Sequence, residues 1–462
     1  MTRTVLYVCF AMLVLSFSTQ NAFSILSLKP TTEVEDVNEN YPEQEKLDID
    51  FSQPLSLREC IDIALKNSTN VKNANLDLTV QEMNVKDALT GYYPMINTSG
   101  SYRVTDDVDF GWERENYDAL VYANFTIWNH GQREASLAQA RARRDAEFST
   151  YNRTEQSLVY SVISTYYDFL ETEKMISVDQ QLLDLSNQNV DKIKALVEVG
   201  SAIEADIATA RVQQASDELT VVNDLNNLEL AGADLAVLMG IEPDVSINLL
   251  DDPDYEIYMD TGIIEMDEIT LEEAKATALE NRPEIDVQQA NIDVLETALD
   301  LAQLELWPKL TADCGYNVFL DDYLRERDAL KNHRNWNVSA RATYPVFDGG
   351  RSKRTVRRAE IAMAKAQETM AELKRNIELE VYQAYLSLQR AKKAMDISNV
   401  QVDDAEESLK VAQGRYEQQM IILLELLDIQ TRYASALTNQ VRAFYDYKVA
   451  AKTLERAMGV LK

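Results

Sequence analysis

The chain is written twice. "SLRECIDIALKNS" (56–68) realigns with "TLEEAKATALENR" (270–282) at an offset of 214, as does Pro94 with Pro308. Further on the offset is 219: Asn129 answers Asp348, Gly131 answers Gly350, Tyr166 answers Tyr385, and "LAVLMG" (235–240) answers "LERAMG" (454–459). Such a chain must fold as two copies of one plan. The repeats are expected at 55–240 and 270–462, joined by an equatorial linker, 241–269. The five extra residues fall between Pro308 and Tyr344, most simply in "FLDDYLRERDALKNHR", which reads as a variable loop.

Each copy reads helix, two strands, very long helix, returning helix. Residues 57–91 and 271–306 carry periodic, helix-forming sequence, with Ser56 and Thr270 placed as N-caps. Each ends at an aromatic residue and proline, Tyr93-Pro94 and Trp307-Pro308, where proline stops the helix. Only 13 glycines and 9 prolines serve 462 residues, and neither type occurs in 132–199 or 351–413. Long helices follow at about 131–199 and 351–418, each roughly 100 Å at 1.5 Å per residue. Ile176, Leu183, Val190 and Val197 recur every seven residues, and Met395, Val402, Leu409 and Tyr416 repeat the phase. This is a coiled-coil seam. The chain turns back in "VEVGSAIEAD" (197–206) and "YEQQMIILLE" (416–425), and the return helices, about 202–240 and 421–459, end at Gly240 and Gly459 as C-terminal caps.

The strands are expected at about 95–104, 116–128, 309–318 and 335–347. Ile96, Thr98, Gly100, Tyr102 and Val104 alternate with Asn97, Ser99, Ser101 and Arg103, and the other three strands alternate likewise. One apolar and one polar face fit a half-buried soluble sheet or the wall of a membrane barrel. All four tryptophans, Trp112, Trp128, Trp307 and Trp336, sit at strand ends or in the adjoining hairpin, where interfacial aromatic girdles belong. That favours the barrel wall. Four strands cannot close a barrel, so the wall must be shared with other copies of the chain.

The joint between strand and long helix is "VFDGG" in one copy and "IWNHG" in the other. Asp348 is placed to cap the helix, and Gly349-Gly350 allow a sharp change of direction. Asn129 and Gly131 make the same turn, with one glycine replaced by His130.

The opening "MTRTVLYVCFAMLVLSFSTQNAFS" (1–24) reads as a secretory signal, its apolar run too short for a spanning helix. Residues 25–54, rich in acid, read as a flexible arm. With 77 acidic against 45 basic residues, a net charge of −32, nucleic acid and anionic membrane surfaces are poor partners. Two histidines, and no triad, CxxC or P-loop pattern, leave no basis for catalysis, a metal centre or a cofactor. Asp251, Asp252 and Asp254 read as a solvated acidic loop rather than a cation site, and whether Cys60 and Cys314 pair is open.

Signal, duplicated plan, "FDGGR" junction and paired hairpins together resemble the TolC-like outer membrane efflux protein family over about 55–460. The resemblance implies a mainly α fold with β: a homotrimer whose twelve-stranded β-barrel in the outer membrane continues into a long coiled-coil α-barrel across the periplasm. It implies an export duct for small molecules or proteins, worked with an inner-membrane transporter and a periplasmic adaptor. The other class of reading is a periplasmic coiled-coil scaffold or adaptor without a pore. Family gate positions fall on Tyr416, Glu425 and Asp428, with Asp206 at the acidic position of the first copy. Carboxylates repeated by threefold symmetry in a narrow passage would attract cations. Adaptor contacts fall on the hairpin tips, Val199, Gly200 and Ser201 and Gln418, Gln419 and Met420. Here the sequence departs from the family: Gln418-Gln419 replaces Val-Gly, and Ile421 stands where an arginine commonly helps lock the gate. The expectation is a second tip altered as an adaptor site and a gate held differently.

Overall fold

The computed structural model describes residues 53–107, 112–255, 269–321 and 334–461. The signal, nearly all of the acidic arm, the outer ends of both strand hairpins and 256–268 of the linker lie outside these residues. The first copy comprises α1 (Leu57–Asn67), α2 (Thr69–Thr90), β1 (Met95–Asp107), β2 (Trp112–Trp128), α3 (Gln132–Glu198) and α4 (Glu204–Leu238). The second comprises α5 (Leu271–Asn281), α6 (Pro283–Leu304), β3 (Lys309–Asp321), β4 (Arg334–Thr343), α7 (Arg351–Glu417) and α8 (Leu423–Ala457). Corresponding helices are equal in length: 11, 22, 67 and 35 residues. Since β1 and β3 keep the offset of 214 and α3 and α7 that of 219, the extra residues enter between β3 and α7.

Both helix starts are capping boxes: the Ser56 and Thr270 hydroxyls accept from the N–H of Glu59 and Glu273, whose carboxylates return the contact. The expected single helices at 57–91 and 271–306 are each broken once, at Ser68 and at Arg282, where the backbone turns extended. In the second copy Pro283 denies Arg282 an α conformation. In both copies the break is where the return helix ends. Gly240 and Gly459 take φ of +69° and +74°, as C-terminal glycines do. A methyl on Gly459 would stand 2.7 Å from the carbonyl oxygen of Asn281, and one on Gly240 2.8 Å from Cβ of Asn67. Buried Arg282 fastens the second break, its guanidinium reaching Glu380, Glu284 and the carbonyl of Arg456.

α3 pairs with α4 and α7 with α8 as long hairpins; α2 lies along α3, and α6 spans α3 and α7. Of the expected seam, Ile176, Val190, Met395, Val402 and Leu409 are buried and Leu183, Val197 and Tyr416 partly so. Mid-length, Tyr166, Tyr167, Phe444 and Tyr445 form an aromatic belt, and Tyr255 of the linker stacks on Tyr445 at 5.6 Å. The linker is tied down there. Tyr166 donates to the Leu250 carbonyl at 2.7 Å, Lys174 pairs with Asp251 at 2.7 Å, and Lys448 holds both Asp252 and Asp254. The reading of these aspartates as a solvated loop holds in part: Asp251 and Asp254 are half-exposed, but Asp252 is buried against Lys448, and two lysines from different hairpins pair with the three carboxylates. Cys60, buried in α1, and Cys314, in β3, are both free.

The four strands form one antiparallel sheet in the order β1-β2-β3-β4. Its register sets Thr98 opposite Val121, Val121 opposite Tyr316 and Tyr316 opposite Trp336, so the four alternating patterns combine into one apolar face. Ile96, Tyr102, Val121, Trp336 and Val338 on that face are exposed, and no described helix packs broadly on it. The other face is polar, with Asn124 donating to Asp313 at 2.6 Å and Ser101 to Asp118 at 3.0 Å. β4 stops at Thr343 rather than at 347: Thr343 already faces Lys309, the first residue of β3, and Pro345 has no N–H to donate.

Candidate functional site

The candidate site has two parts, one at each end of the long helices. At the junction with the sheet, Gly349 and Gly350 take φ of +63° and +78°. Asp348 accepts from the N–H of Gly350 (2.9 Å) and of Ser352 (2.8 Å) and from the Ser352 hydroxyl, which holds its carboxyl down at about 2. The N-cap of α7 is Gly350, and Asp348, two residues ahead of it, satisfies the N–H of Ser352 in the first turn. The first copy makes the same backbone turn, His130 at +55° and Gly131 at +89°, but Asn129 does not cap: its side-chain oxygen is buried without a partner. What the histidine contributes is stacking. Its ring lies on Trp307 with centroids 4.1 Å apart and meets the edge of Trp128 at 5.1 Å. Trp128 and Trp307 thus sit together at the helical end of the sheet and Trp336 toward the opposite end; the side chain of Trp112, which opens β2, lies outside the described residues.

At the far end both hairpins turn on a left-handed residue. Gly200 has φ of +79° and Gln419 +60°. Ser201 N–H donates to Leu196 O and Gly200 N–H to Val197 O, while Met420 N–H donates to Arg415 O and Gln419 N–H to Tyr416 O, all at 2.8–2.9 Å. The second tip therefore keeps the backbone of the first, despite Gln418-Gln419. Val199 and Met420 stand exposed beside the turns.

Tyr416, on the last turn of α7, packs between the hairpins: against Val190, Ile193 and Leu423 on one side and Leu409, Ala412 and Leu426 on the other. Burial, and then the charge of Asp206, push its hydroxyl pKa up. Glu425 and Asp428 line a groove of about 790 Å³ between α4 and α8, with Thr209, Val212 and Gln213 opposite. Asp428 is not free there, since Arg432 one turn on pairs with it at 3.0 Å. Ile421, in the place of the family arginine, packs with Leu409, Ala412 and Leu426. Near the tips Lys192 pairs with Glu417 across the two hairpins at 3.4 Å, both side chains exposed. Arg432 was legible as an i+4 partner of Asp428; Lys192 was not, because it meets Glu417 only after folding.

The two copies also match one family model, "Outer membrane efflux protein", over residues 60–241 and 276–460. The chain belongs to the outer membrane efflux protein family. It is 20% identical to nodulation protein T of Rhizobium leguminosarum bv. trifolii over 431 residues, 88% of this chain and 86% of that protein. It is 21% identical to outer membrane protein TolC of Vibrio cholerae over 390 residues, 82% and 84% of the two chains. Among solved structures it superposes on the channel protein CusC with a TM-score of 0.77 at 17% identity, covering 87% of this chain and 92% of that one. The family is one of outer membrane channels, and the long-hairpin fold read from the duplication is its fold.

Proposed function

We propose that the chain is the outer membrane exit duct of an export system, assembled from three copies. The observation that carries this reading is the sheet: an apolar face left uncovered, a polar face opposite, and two open edges on β1 and β4. A soluble scaffold would need a layer over that face, since large exposed apolar surfaces mark interaction or membrane sites. Strands of 10 to 17 residues are long enough to cross a tilted bilayer. Open edges are not tolerated in hydrocarbon, so the edges must meet those of neighbouring copies, and twelve strands then close a barrel. The helices support the same assembly: Val212, Leu219, Leu230 and Val237 of α4 and Ile397, Val400 and Val411 of α7 are exposed apolar residues awaiting cover.

In this assembly the hairpins continue the barrel across the periplasm. The tips around Val199–Ser201 and Gln418–Met420 receive the periplasmic adaptor, which links the duct to an inner-membrane transporter, and the common backbone of the tips makes both competent. The gate is Tyr416 and Asp206 between the hairpins, with Glu425 and Asp428 on the passage and Lys192 to Glu417 as the tie. Asp348, Gly349, Gly350, Asn129 and Gly131 redirect each chain from barrel wall to tunnel. The test is conductance in planar bilayers. The purified protein is expected to form cation-selective pores, with selectivity reduced in E425A/D428A. Absence of pores would overturn the duct, and unchanged selectivity would remove these carboxylates from the gate.

A further inference from the structure

In a duplicated chain each strand joint of the sheet should recur. The joint inside a copy does so, as β1 on β2 and as β3 on β4. Carried over by the offsets of 214 and 219, Met95 opposite Asn124 becomes Lys309 opposite Thr343, and Val104 opposite Glu115 becomes Val318 opposite Arg334; both are observed pairs. That ladder repeats residue for residue. The joint between copies, β2 on β3, is seen once among the described residues. Its recurrence would set β4 against a strand equivalent to β1, which one chain cannot do, because β1 and β4 are the two edges of its sheet.

The residues at those edges are correspondingly bare. Tyr102 and Val104 of β1 are exposed, whereas Tyr316 and Val318, their counterparts on β3 with β2 alongside, are half-buried. Val346 and Phe347, just past β4, are 86% and 90% exposed against 44% and 45% for Ile127 and Trp128, their counterparts at the end of β2. There Phe125 pairs with Ala312 and Trp128 with Leu310, with a bulge before Trp128. The helices repeat the contrast. α6 packs broadly on both α3 and α7, whereas its counterpart α2 packs broadly on α3 alone among the described helices. α6 exposes no large apolar side chain; α2 exposes Leu76, Val80, Met83 and Leu89.

We propose that the joint between the two copies is also the joint between chains: β4 pairs antiparallel with β1 of a second copy in the register that β2 keeps on β3. Val338 then lies opposite Val104 of the partner subunit, Ala340 opposite Tyr102 of the partner subunit and Ala342 opposite Gly100 of the partner subunit. The proposal rests on the three-copy reading above and adds the register, which closure alone leaves open. A slip by one residue would turn the apolar face of one chain to the polar face of the next. A slip by two keeps the faces, and the repeat selects against it. In this register Tyr344 gains Thr98 of the partner subunit and Phe347 gains Ile96 of the partner subunit, so β4 lengthens past Thr343 on assembly. Pro345 takes the place of Thr126 beside the bulge, where a strand tolerates a residue without an N–H. The helical layer follows: Gln139 Nε2 donates to the Val294 carbonyl at 3.4 Å where α3 meets α6, and the same offsets bring Arg358 to the carbonyl of Val80 of the partner subunit. The contact joins unlike edges, head to tail, as a closed ring requires.

Cysteine pairs read the register. In a C314A background, Y102C/A340C and V104C/V338C place cysteines directly opposite across the joint, within disulfide reach. V104C/A340C and G100C/A340C are the pairs that a two-residue slip would oppose, and in the proposed register they stand diagonal, about 7–8 Å apart. The full chain in mild detergent is oxidised with copper phenanthroline and resolved on non-reducing gels, after native mass spectrometry of each variant has counted the chains per particle. Both directly opposed pairs are expected to link chain to chain at least about fivefold faster than either diagonal pair. Three-chain particles that link fastest at a diagonal pair, or at neither directly opposed pair, would overturn the register and leave the duct standing. Particles of one chain would overturn both.

Discussion

Where the two copies hold different residues at one position, the backbone is the same and the side chain does something new. His130 and Gly349 both take left-handed φ, as do Gly200 and Gln419. A non-glycine residue at such a position costs on the order of 1–2 kcal/mol. In one case the compensation is visible: His130 stacks on Trp307. At Gln419 the compensation is the turn itself, whose two closing hydrogen bonds match those at Gly200. The lesson is that motif residues report the turn only indirectly. Loss of Val-Gly at the second tip suggested an altered site, yet the fold imposes the turn on Gln419 regardless.

The strongest way to break this equivalence is at the return-helix ends, where the copies are both glycine and both crowded. Gly459→Ala is expected to cost about 3 kcal/mol or more, combining left-handed strain with overpacking against backbone of Asn281 and Arg282. Gly240→Ala should cost somewhat less, because only Asn67 Cβ stands as close as 2.8 Å and the backbone atoms beyond it are 3.2 Å away. Gly200→Ala, with nothing within 4 Å, should cost only about 1 kcal/mol of strain. Thermal unfolding of the three variants in one detergent checks the order, and equal losses would mean that close approach plays no part.

The helix breaks give the next contrast. Arg282→Ala should cost about 2–4 kcal/mol by leaving Glu284 and Glu380 without their shared cation, reduced because Glu380 is half-exposed. Ser68→Ala, at the matching break, should stay within about 1 kcal/mol. Losses of the same size would show that the guanidinium is not what fastens the second break.

Smaller still are the tip and joint exchanges. Gln419→Gly should be neutral or stabilising by up to about 1 kcal/mol, relief of strain being offset by greater freedom of the unfolded chain. Gly200→Gln should destabilise by about 1–2 kcal/mol. His130→Gly trades an aromatic stack of about 0.5–1.5 kcal/mol for relief of similar strain, so its melting temperature should barely move.

The duplication, the long helices, both capping boxes and the apolar face of the sheet were legible because each rests on a period or a cap that local sequence records. The break at Ser68 was not, since Ser68 resembles any helical residue and only the approach of Gly240 marks the place. The end of β4 was overestimated because alternation continues through Val346 after the ladder has run out of partners at Lys309. At the proposed gate, Tyr416 and Asp206 were placed by motif. Lys192 meets its partner between hairpins, and the lysines that hold Asp251, Asp252 and Asp254 meet theirs between hairpin and linker, pairings that no local pattern encodes.

All of this presupposes that the two copies together supply one third of a closed wall. Native mass spectrometry of the complex, extracted from the outer membrane in mild detergent, tests that claim most directly. The account predicts three chains per particle, which dissociate to single chains only when the strands unfold. A particle of one chain, or recovery of the protein from the soluble periplasmic fraction, would contradict it.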